Sequence, residues 1–536
     1  MLGSSSDSRS QSGRPSSRRP RSGWRGSARS LGTLVAIGLA AGLLQVPVPA
    51  EAAVEPCYEA GELDINGDGY ADAVVGDPEA TVAGQAQAGR IVVLYGDADG
   101  RLGEGGRVVV TQATIGQVPE AGDRFGAAVA TAHVDTDACL DVVVAAPYED
   151  LGAATDAGVG HVIYGSLAGL NGGTSPTQVT QAQAGGVVEA GDRFGFSVAA
   201  ADNLGHDTSV VAFGAPYEDL GAAVDTGAVN ALQFSDSILV LPREITQSTP
   251  GVVGTSESSD LFGFSLAYGY DLINTYSSWD LVVGAPGEDI GKLNSAGAVT
   301  VINGVHDYPP DVFPSQSWNQ DSPGVPGAAE TGDLFGCSVA TSVVDSYAPG
   351  SKQHVAVGAP GEAIGSRTTA GAVQLFSSTG SGLVPGKSIS QNTAGVLGTA
   401  EKGDRFGFRV ALLNAPKLRL AVSIPYEDIG SVTDAGSVQV FSVSNPADDK
   451  AYDAASAGAA GARTTGGRYG YALSAIQADN ENVFAVGSPY HGTGRVHLIT
   501  YNSSGYASRS WLPGSGGVPG GAARFGASIG GYDNTP

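Results

Sequence analysis

The sequence predicts an all-β fold, a seven-bladed β-propeller, from three observations: abundant glycine, short apolar runs, and two landmark motifs that each occur seven times. The chain has 536 residues, of which 80 are Gly and 42% are hydrophobic. This composition can build a packed core, and glycine between short apolar runs favours turns and strands over long helices. The internal repeat therefore decides the architecture.

The two landmarks recur along nearly the whole chain. The first is an aromatic residue followed by Gly, usually after Asp-Arg or Asp-Leu, at Phe125, Phe194, Phe262, Phe335, Phe406, Tyr469 and Phe525. The second is an apolar run ending in two small residues and Pro, at Pro78, Pro147, Pro216, Pro286, Pro360, Pro425 and Pro489. Seven occurrences of each predict seven copies of one structural unit.

Each unit is predicted to contain four strands. In the unit that starts at Phe194 these are FGFSVAA, VVAFGAP, TGAVNALQF and SILVLP. Apolar alternation between glycine-rich turns supports strands. Seven four-stranded units are typical of a propeller, in which radial closure leaves only short sheet edges. A β-solenoid is the alternative architecture, although its repeat is usually shorter.

The two landmark series are out of phase at the chain ends. Pro78 has no aromatic-Gly pair before it, and Phe525 has no Pro landmark after it. Joined, the two pieces predict one blade with strand one from FGASIGG at the C-terminus. Its strands two to four come from about Tyr70 to Gln112. Pairing the two ends closes the ring and removes exposed sheet edges.

The N-terminal segment has the pattern of an export signal. Arginines precede the apolar run LGTLVAIGLAAGLL and a small-residue exit near Ala50. We expect a cleaved signal peptide over 1–52, a lead-in over 53–60 and a single propeller over 61–536. The run is short for a bilayer span, with an uncleaved anchor as the alternative.

The expected location is secreted and extracellular, with no membrane span. The pair Arg18-Arg19 leaves the twin-arginine export route open beside the general secretory route. Removing residues 1–52 leaves 21 basic and 52 acidic residues, a net charge of −31. Such charge excludes nucleic acid and anionic membranes as partners. Calcium, basic proteins and neutral glycans remain compatible, and we expect a monomer with an unknown protein or glycan ligand.

Together the Phe-Gly and Gly-Ala-Pro landmarks, with an acidic loop between them, resemble the FG-GAP repeat. That repeat builds the seven-bladed propeller of integrin α-subunits and of many bacterial exported proteins. The resemblance covers about Gly61 to Pro536. It implies the fold, but it leaves function open, because the repeat serves adhesion proteins, lectins and appendages of enzymes.

The stretch LDINGDGYADAVV implies a calcium site. An EF-hand loop would need a carboxylate at Val75 and flanking helices, whereas a strand follows here. The resemblance implies Ca²⁺ ligands at Asp64, Asn66, Asp68, the Tyr70 carbonyl and Asp72. The alternative is an Asp/Asn-Gly hairpin without metal. In the next unit His133 replaces the first ligand, and Asp135, Asp137 and Asp141 leave a weaker metal site open.

Three cysteines in an exported chain permit one disulfide and one free thiol. Cys57 precedes the first acidic loop, and Cys139 lies in the equivalent loop of the next unit. The resemblance places these loops on one face of adjacent blades, so we expect a Cys57–Cys139 disulfide. Cys337 is expected to be a buried free thiol.

The resemblance places a second set of loops on the opposite face. These loops carry candidate ligand residues at Tyr148, Glu149, Tyr217, Glu218, Tyr426, Glu427, Tyr490 and His491. In one interpretation the carboxylates only cap turns and accept hydrogen bonds in every blade. In the other, carboxylates and tyrosines hold a basic or glycan ligand. Tyr490 and His491 break the repeat pattern, and Gly287 and Gly361 replace the tyrosine in two units.

No catalytic constellation is recognisable, and the repeats leave no further domain to carry one. We therefore expect no enzyme, but a secreted, calcium-stabilised, non-enzymatic binding protein for adhesion or ligand recognition. A glycan-binding lectin and a propeller-borne hydrolase or lyase are the alternatives.

Overall fold

The computed structural model describes residues 57, 63–99, 101–203, 208–273, 278–306, 313–342, 353–379, 381–413, 418–459, 461–478, 481–502, 505–515, 518–520 and 524–530. The predicted signal peptide over 1–52 lies outside the described residues, as does the lead-in over 53–60 apart from Cys57. In the part of the chain that the structure describes, no helix has the length and apolar character needed to cross a bilayer.

Strands dominate the described residues, together with a short 3₁₀-helix at Gln112–Ile115. The first fourteen strands are β1 (Ala73–Asp77), β2 (Arg90–Tyr95), β3 (Gly106–Val110), β4 (Ala128–Ala132), β5 (Asp141–Ala146), β6 (Val159–Ile163), β7 (Thr177–Val179), β8 (Ser197–Asn203), β9 (Thr208–Ala215), β10 (Ala228–Ser235), β11 (Ile238–Ile245), β12 (Ser265–Tyr270), β13 (Trp279–Ala285) and β14 (Ala298–Ile302). The other fourteen are β15 (Ser315–Trp318), β16 (Ser338–Thr341), β17 (His354–Ala359), β18 (Ala372–Ser378), β19 (Leu383–Ile389), β20 (Val410–Leu413), β21 (Arg419–Ile424), β22 (Ser437–Ser442), β23 (Asn445–Tyr452), β24 (Ala472–Ala478), β25 (Glu481–Gly487), β26 (Val496–Asn502), β27 (Gly505–Trp511) and β28 (Ser528–Gly530).

These strands form seven antiparallel sheets of four, which confirms the predicted seven-bladed propeller. We number the blades by the chain order of their second strands. Blade 1 contains β28, β1, β2 and β3, and blades 2 to 7 contain β4–β7, β8–β11, β12–β15, β16–β19, β20–β23 and β24–β27. Strand one of each blade is innermost.

Blade 1 joins the two ends of the chain, as the landmark phases predicted. Strand β28 pairs with β1 in antiparallel register, with Val74 opposite Gly530 and Gly76 opposite Ser528. The N–H of Gly526 also donates to the carbonyl oxygen of Gly76 (2.9 Å). No peptide bond links strands one and two here, so these hydrogen bonds and the side-chain packing must hold this seam closed.

The aromatic-Gly landmark has a local backbone reason. The seven aromatic side chains are buried in the core: Phe125, Phe194, Phe262, Phe335, Phe406, Tyr469 and Phe525. The seven glycines that follow them have φ between +85° and +91°. That left-handed region favours glycine, because a Cβ makes it costly for other residues. Each landmark thus buries a ring and turns the chain into strand one.

The disulfide expected between Cys57 and Cys139 is present, with the two Cα atoms 5.2 Å apart. The N–H of Ala138 donates to the carbonyl oxygen of Cys57 (3.1 Å), which adds a backbone contact beside the bridge. Cys337 is buried and is not part of a disulfide, as expected.

Candidate functional site

The seven inner strands surround a central channel that contains a cavity of about 250 Å³. We call the end of the channel where strand one begins the entry face. Strand two ends on this same face, because the strands are antiparallel. The loops between strands one and two, including the predicted calcium loop, lie at the opposite end.

Arg409 gives this channel an asymmetric positive charge. Arg409 is the second residue after the glycine of its aromatic-Gly landmark. In the other six blades this position holds a small residue: Ala128, Ser197, Ser265, Ser338, Ala472 and Ser528. The four serines donate to a glycine carbonyl of the next blade, for example Ser197 to Gly263 (2.6 Å). Arg409 instead donates to the Phe408 carbonyl (2.9 Å) and stacks over the Phe408 ring at 4.6 Å.

Aromatic side chains gather at the entry face, in the position after the aromatic-Gly landmark. The ring centroids of Phe196 and Phe264 are 5.0 Å apart, and those of Phe408 and Tyr471 are 5.3 Å apart. Tyr490 packs edge-on against Tyr471 at 5.0 Å. These two aromatic groups come from blades 3 and 4 and from blades 6 and 7. Residues far apart in sequence therefore converge at one mouth.

Arginines stack on tyrosines around this mouth in a set that we call the Arg–Tyr arc, and in blade 1 Glu79 stands in the place of the tyrosine. Its members are Arg405, Tyr426, Arg468, Tyr490, Arg524, Arg124, Tyr148, Arg193 and Tyr217. The Arg468 guanidinium lies 4.8 Å from the ring centroids of both Tyr426 and Tyr490. Arg193 lies similarly over Tyr148 (5.0 Å) and Tyr217 (4.3 Å). The arc covers blades 6, 7, 1, 2 and 3.

Blades 4 and 5 interrupt the arc for a backbone reason. Leu261 and Leu334 stand where the other blades have arginine, and Gly287 and Gly361 stand where tyrosine is expected. A Cβ on Gly287 would lie 1.7 Å from the carbonyl oxygen of Ser259, and one on Gly361 would meet its neighbouring loop equally closely. The interblade loop occupies the space of the tyrosine, so both partners of the stack are lost together.

Most of the arc's cations have no acidic partner. Arg524 pairs with Glu79 (3.2 Å). Within the described residues, Arg124, Arg193, Arg405 and Arg468 form no ion pair. The Nε atoms of Arg193 and Arg468 are buried without a hydrogen-bond partner in the described part of the chain. These four guanidiniums are therefore not neutralised by a direct ion pair within the described residues, although the loops of the same face also carry carboxylates such as Glu120 and Asp123.

The glutamates predicted for this face turn into the interface between blades. Each accepts a hydrogen bond from a glutamine of the preceding blade, in the pairs Gln112–Glu149 (2.6 Å), Gln181–Glu218 (2.5 Å), Gln247–Glu288 (2.5 Å), Gln320–Glu362 and Gln391–Glu427 (2.7 Å). Burial raises the pKa of Glu149 and of Glu218 to about 8, and a nearby carboxylate adds to each shift. Five identical contacts make these carboxylates part of the blade interface.

The aspartates before Phe-Gly organise the interblade loops. Asp123, for example, accepts the Glu120 N–H (2.6 Å), and Asp404 accepts the Glu401 N–H. His491 contacts the Ala462 carbonyl through Nε2 (2.6 Å).

The predicted tyrosines lie at the mouth, whereas the sequence analysis did not predict the arginines that stack on them. The sequence contains a sign of this pairing. Units with Asp-Arg before Phe-Gly have Pro-Tyr after strand two, whereas units with Asp-Leu before Phe-Gly have Pro-Gly there.

In the predicted calcium loop the first and last carboxylates accept backbone N–H groups. Asp64 accepts from Gly67 (2.7 Å) and Gly69 (2.6 Å). Asp72 accepts from Ile65 and Gly96, and Asp141 and Asp280 make the equivalent contacts in blades 2 and 4. The ninth-position aspartate thus also ties the loop to the neighbouring strand turn.

The remaining oxygens of this loop suit a hard cation. Asn66 donates to Asp68 (2.9 Å), and both side chains face solvent with Tyr70. Burial raises the pKa of Asp72 to about 8, and the charges of Asp64 and Asp68 add to the shift. A divalent cation would relieve the repulsion among these charges, and oxygen-only donors suit Ca²⁺. In the described residues, however, the carboxylate oxygens of Asp64, Asp68 and Asp72 do not all lie within 4.8 Å of one another.

The weaker predicted site in blade 2 lies beside the disulfide. Asp137 accepts the Cys139 N–H (2.8 Å), and Asp135 accepts the Asp137 N–H (3.1 Å). Burial raises the pKa of Asp135 to about 6. In the described residues, three metal-capable side chains come together at Cys57, Asp137 and Cys139, but the two cysteines form the disulfide.

Comparison with known proteins shows no family, and the solved structures of similar fold include two distant ones. No family model matches the chain, and no curated protein matches it. The fold is similar to the periplasmic gluconolactonase of Pseudomonas aeruginosa, with 12% identity, a TM-score of 0.43, and coverage of 85% of this chain and 98% of that one. It is also similar to the GH93 α-L-arabinofuranosidase of Fusarium graminearum solved with arabinobiose, with 10% identity, a TM-score of 0.36, and coverage of 60% and 81%.

Both of these proteins are enzymes by name, and this finding contradicts the expectation of a non-enzymatic binding protein. The expectation that the chain is no enzyme was wrong for a physical reason. It looked for a catalytic motif within one segment, whereas a propeller gathers single residues from several blades at one mouth. At these identities the likeness transfers neither a substrate nor a catalytic residue. The established identity of the chain is a seven-bladed β-propeller.

Proposed function

We propose that this protein is a propeller-borne hydrolase or lyase that acts on a carbohydrate at the entry face of the channel. The observation that carries this proposal is the convergence of Tyr471, Tyr490 and Arg468 at one mouth, from different parts of blade 7. Aromatic rings offer flat apolar faces with a polar edge, a surface that suits sugar rings. Phe408 extends this surface next to Tyr471.

Tyr471 is the proposed proton donor. A tyrosine phenol is protonated at neutral pH; burial and Tyr490 raise the pKa of Tyr471, while the charges of Arg409 and Arg468 oppose this rise. A protonated phenol beside guanidinium groups can donate to an oxygen on which negative charge develops. Such charge develops when a sugar ester or lactone is hydrolysed and when a glycosidic bond is broken by elimination.

The test is turnover by the purified propeller on a panel of glycosides, sugar lactones and polysaccharides. We expect product release, and we expect Tyr471→Phe to lower kcat by about 10²-fold, the typical effect of losing one such donor. Tyr95→Phe is the matched control, because Tyr95 contacts the Leu170 N–H instead of the entry face. Binding without turnover would show a lectin. A panel with neither binding nor turnover would overturn the proposal.

We further infer that the chain is an FG-GAP repeat protein that is exported through its N-terminal segment. The seven paired landmarks, their contact across the blade interfaces and the disulfide support this inference. Mass spectrometry of secreted protein would test it, with a mature N-terminus near residue 53 as the expected result. A retained N-terminus in the exported protein would contradict the cleaved signal peptide.

We also propose that the loop from Asp64 to Asp72 binds Ca²⁺ through Asp64, Asn66, Asp68, Asp72 and the Tyr70 carbonyl. The ion would supply charge balance among carboxylates that lie next to the blade 1 seam. Its expected role is structural, since the loop lies at the opposite end of the channel from Tyr471.

A further inference from the structure

The Arg–Tyr arc places five arginines on one face of an acidic protein. The chain has 54 acidic and 28 basic residues. Nevertheless Arg124, Arg193, Arg405 and Arg468 lie on tyrosine rings, and none forms an ion pair with a described residue. A surface with so many carboxylates available could have paired these cations. Their isolation on one face points to an anion supplied from outside.

Stacking on a tyrosine leaves a guanidinium able to bind that anion. The tyrosine face attracts the cation through its quadrupole, while the terminal Nη donors remain for acceptors. In Arg193 and Arg468 the Nε is buried, so the Nη groups are the donors that an external anion would contact. A planar guanidinium held in place presents paired donors that match carboxylate and sulfate oxygens.

Two further features indicate an extended anion instead of a single ion. The arginines come from five consecutive blades, and blades 4 and 5 end the series with Leu261 and Leu334. Arg409 continues the positive charge from the arc into the channel. A chain with repeated acidic groups could contact several of these cations at once, whereas a small anion could use only one or two.

We propose that the Arg–Tyr arc is the subsite for the acidic groups, carboxylate or sulfate, of an anionic polysaccharide. This inference rests on the proposed carbohydrate-active function, since the aromatic groups of the mouth adjoin the arc. The tyrosine rings hold the arginines in position, and the arginines bind the acidic groups. The gap at blades 4 and 5 makes the arc one-sided, so the polysaccharide lies across blades 6, 7, 1, 2 and 3.

The test is titration calorimetry with the full propeller and three probes: oligogalacturonate, dextran sulfate and neutral dextran. We expect one acidic probe to bind and neutral dextran to bind at least tenfold more weakly. The better acidic probe identifies carboxylate or sulfate as the group recognised. Binding should weaken as salt rises, because the contacts are ionic.

Single arginine variants locate the site. Arg193→Gln and Arg468→Gln should each weaken the acidic probe roughly tenfold, the expected size of losing a charge-assisted contact. Arg468→Lys should restore binding only in part, since lysine lacks the paired donors. Arg101→Gln is the control, because Arg101 pairs with Asp97 and Asp99 outside the arc. Melting temperatures establish that each variant is folded.

The outcomes separate this inference from the proposed function. Acidic-probe binding that depends on Arg193 and Arg468, without turnover, supports the subsite and removes the enzyme proposal. Turnover of neutral carbohydrate, together with acidic-probe binding that is unchanged in Arg193→Gln, supports the enzyme proposal and overturns the subsite. Equal binding of acidic and neutral probes, or no binding of any probe, also overturns the subsite.

Discussion

Gly284 in blade 4 packs against Gly336 in blade 5, so closely that a Cβ on Gly284 would lie 2.0 Å from the Gly336 carbonyl oxygen. Gly284 belongs to the small-small-Pro landmark and Gly336 to the aromatic-Gly landmark. The same contact joins Gly76 to Gly126, Gly214 to Gly263, Gly358 to Gly407 and Gly487 to Gly526. The two landmarks are therefore the two sides of one blade interface, which is why they recur together.

We expect Gly284→Ala to destabilise the propeller by about 3 kcal/mol, at the upper end of the cost of overpacking, because the obstacle is backbone. The measurement is the free energy of unfolding in denaturant, with the slope of the transition compared to check that folding stays cooperative. Gly520→Ala is the matched control, since its nearest contact would be 3.8 Å away and its φ is not positive. Equal losses in both variants would contradict the role assigned to this contact.

The sequence predicted the fold because the repeat restates its constraints in every blade. Strand order, the split blade and the Cys57–Cys139 pairing followed from the landmarks and the resemblance they support. The sequence could not show whether the glutamates form structural hydrogen bonds or bind a ligand, because both interpretations require the same residues. Only coordinates show Gln112 and its equivalents crossing from one blade to the glutamate of the next.

Only the tyrosines of the entry face could be predicted, because each follows a landmark Pro in the sequence. The arrangement also depends on Arg193 and Arg468, each of which stacks on tyrosine rings of two blades. A linear sequence does not display a contact between side chains from neighbouring repeats. The net charge of the whole chain does not reveal that arginines without a direct ion-pair partner gather at this mouth.

Asp77 and Arg90 hold the seam of blade 1, and we expect Asp77→Ala to cost about 4 kcal/mol, as for breaking a buried ion pair. Asp77 is buried, pairs with Arg90 (2.8 Å) and accepts the Arg524 N–H (2.8 Å) of the C-terminal segment. Removing it leaves Arg90 without its partner and loosens strand β28. The measurements are the melting temperature and the rate of proteolysis at the C-terminus. Asp97→Ala breaks an exposed pair with Arg101, so it should lower the melting temperature only by the small amount typical of a surface ion pair and should leave the proteolysis rate unchanged.

The stability of the propeller should fall as the pH rises from 6 to 9. Burial raises the pKa of Glu149 and Glu218 to about 8 and that of Glu362 and Glu427 to about 7. A raised pKa means that folding favours the protonated acid. This stabilisation is complete below the unfolded pKa near 4.5 and is lost as the pH passes through the folded values.

Glu149, Glu362 and Glu427 are partly exposed and Glu218 is buried. We discount the shifts for solvent screening and expect on the order of 1 kcal/mol from each group. The measurement is the free energy of unfolding as a function of pH. Glu149→Gln, which mimics the protonated acid, should flatten the dependence by about one group's share. Glu79→Gln is the control, since Glu79 lies at the surface of the mouth, outside the glutamine contacts. Rising stability between pH 6 and 9 would contradict this account.

Calcium should stabilise the propeller through the loop that begins at Asp64. At a hundred times its Kd, an ion that binds only the folded state adds about 2.7 kcal/mol, so chelator should lower the melting temperature by several degrees. Asp68→Ala should lower it to the same extent in calcium and should abolish the effect of chelator, because Asp68 faces solvent within the proposed ligand set. Asp99→Ala, an exposed acid outside the loop, should leave the chelator effect intact. Equal melting temperatures with and without chelator in the unaltered protein would remove calcium from the seam and leave this loop held by protein contacts, such as the hydrogen bonds that Asp64 and Asp72 accept from backbone N–H groups.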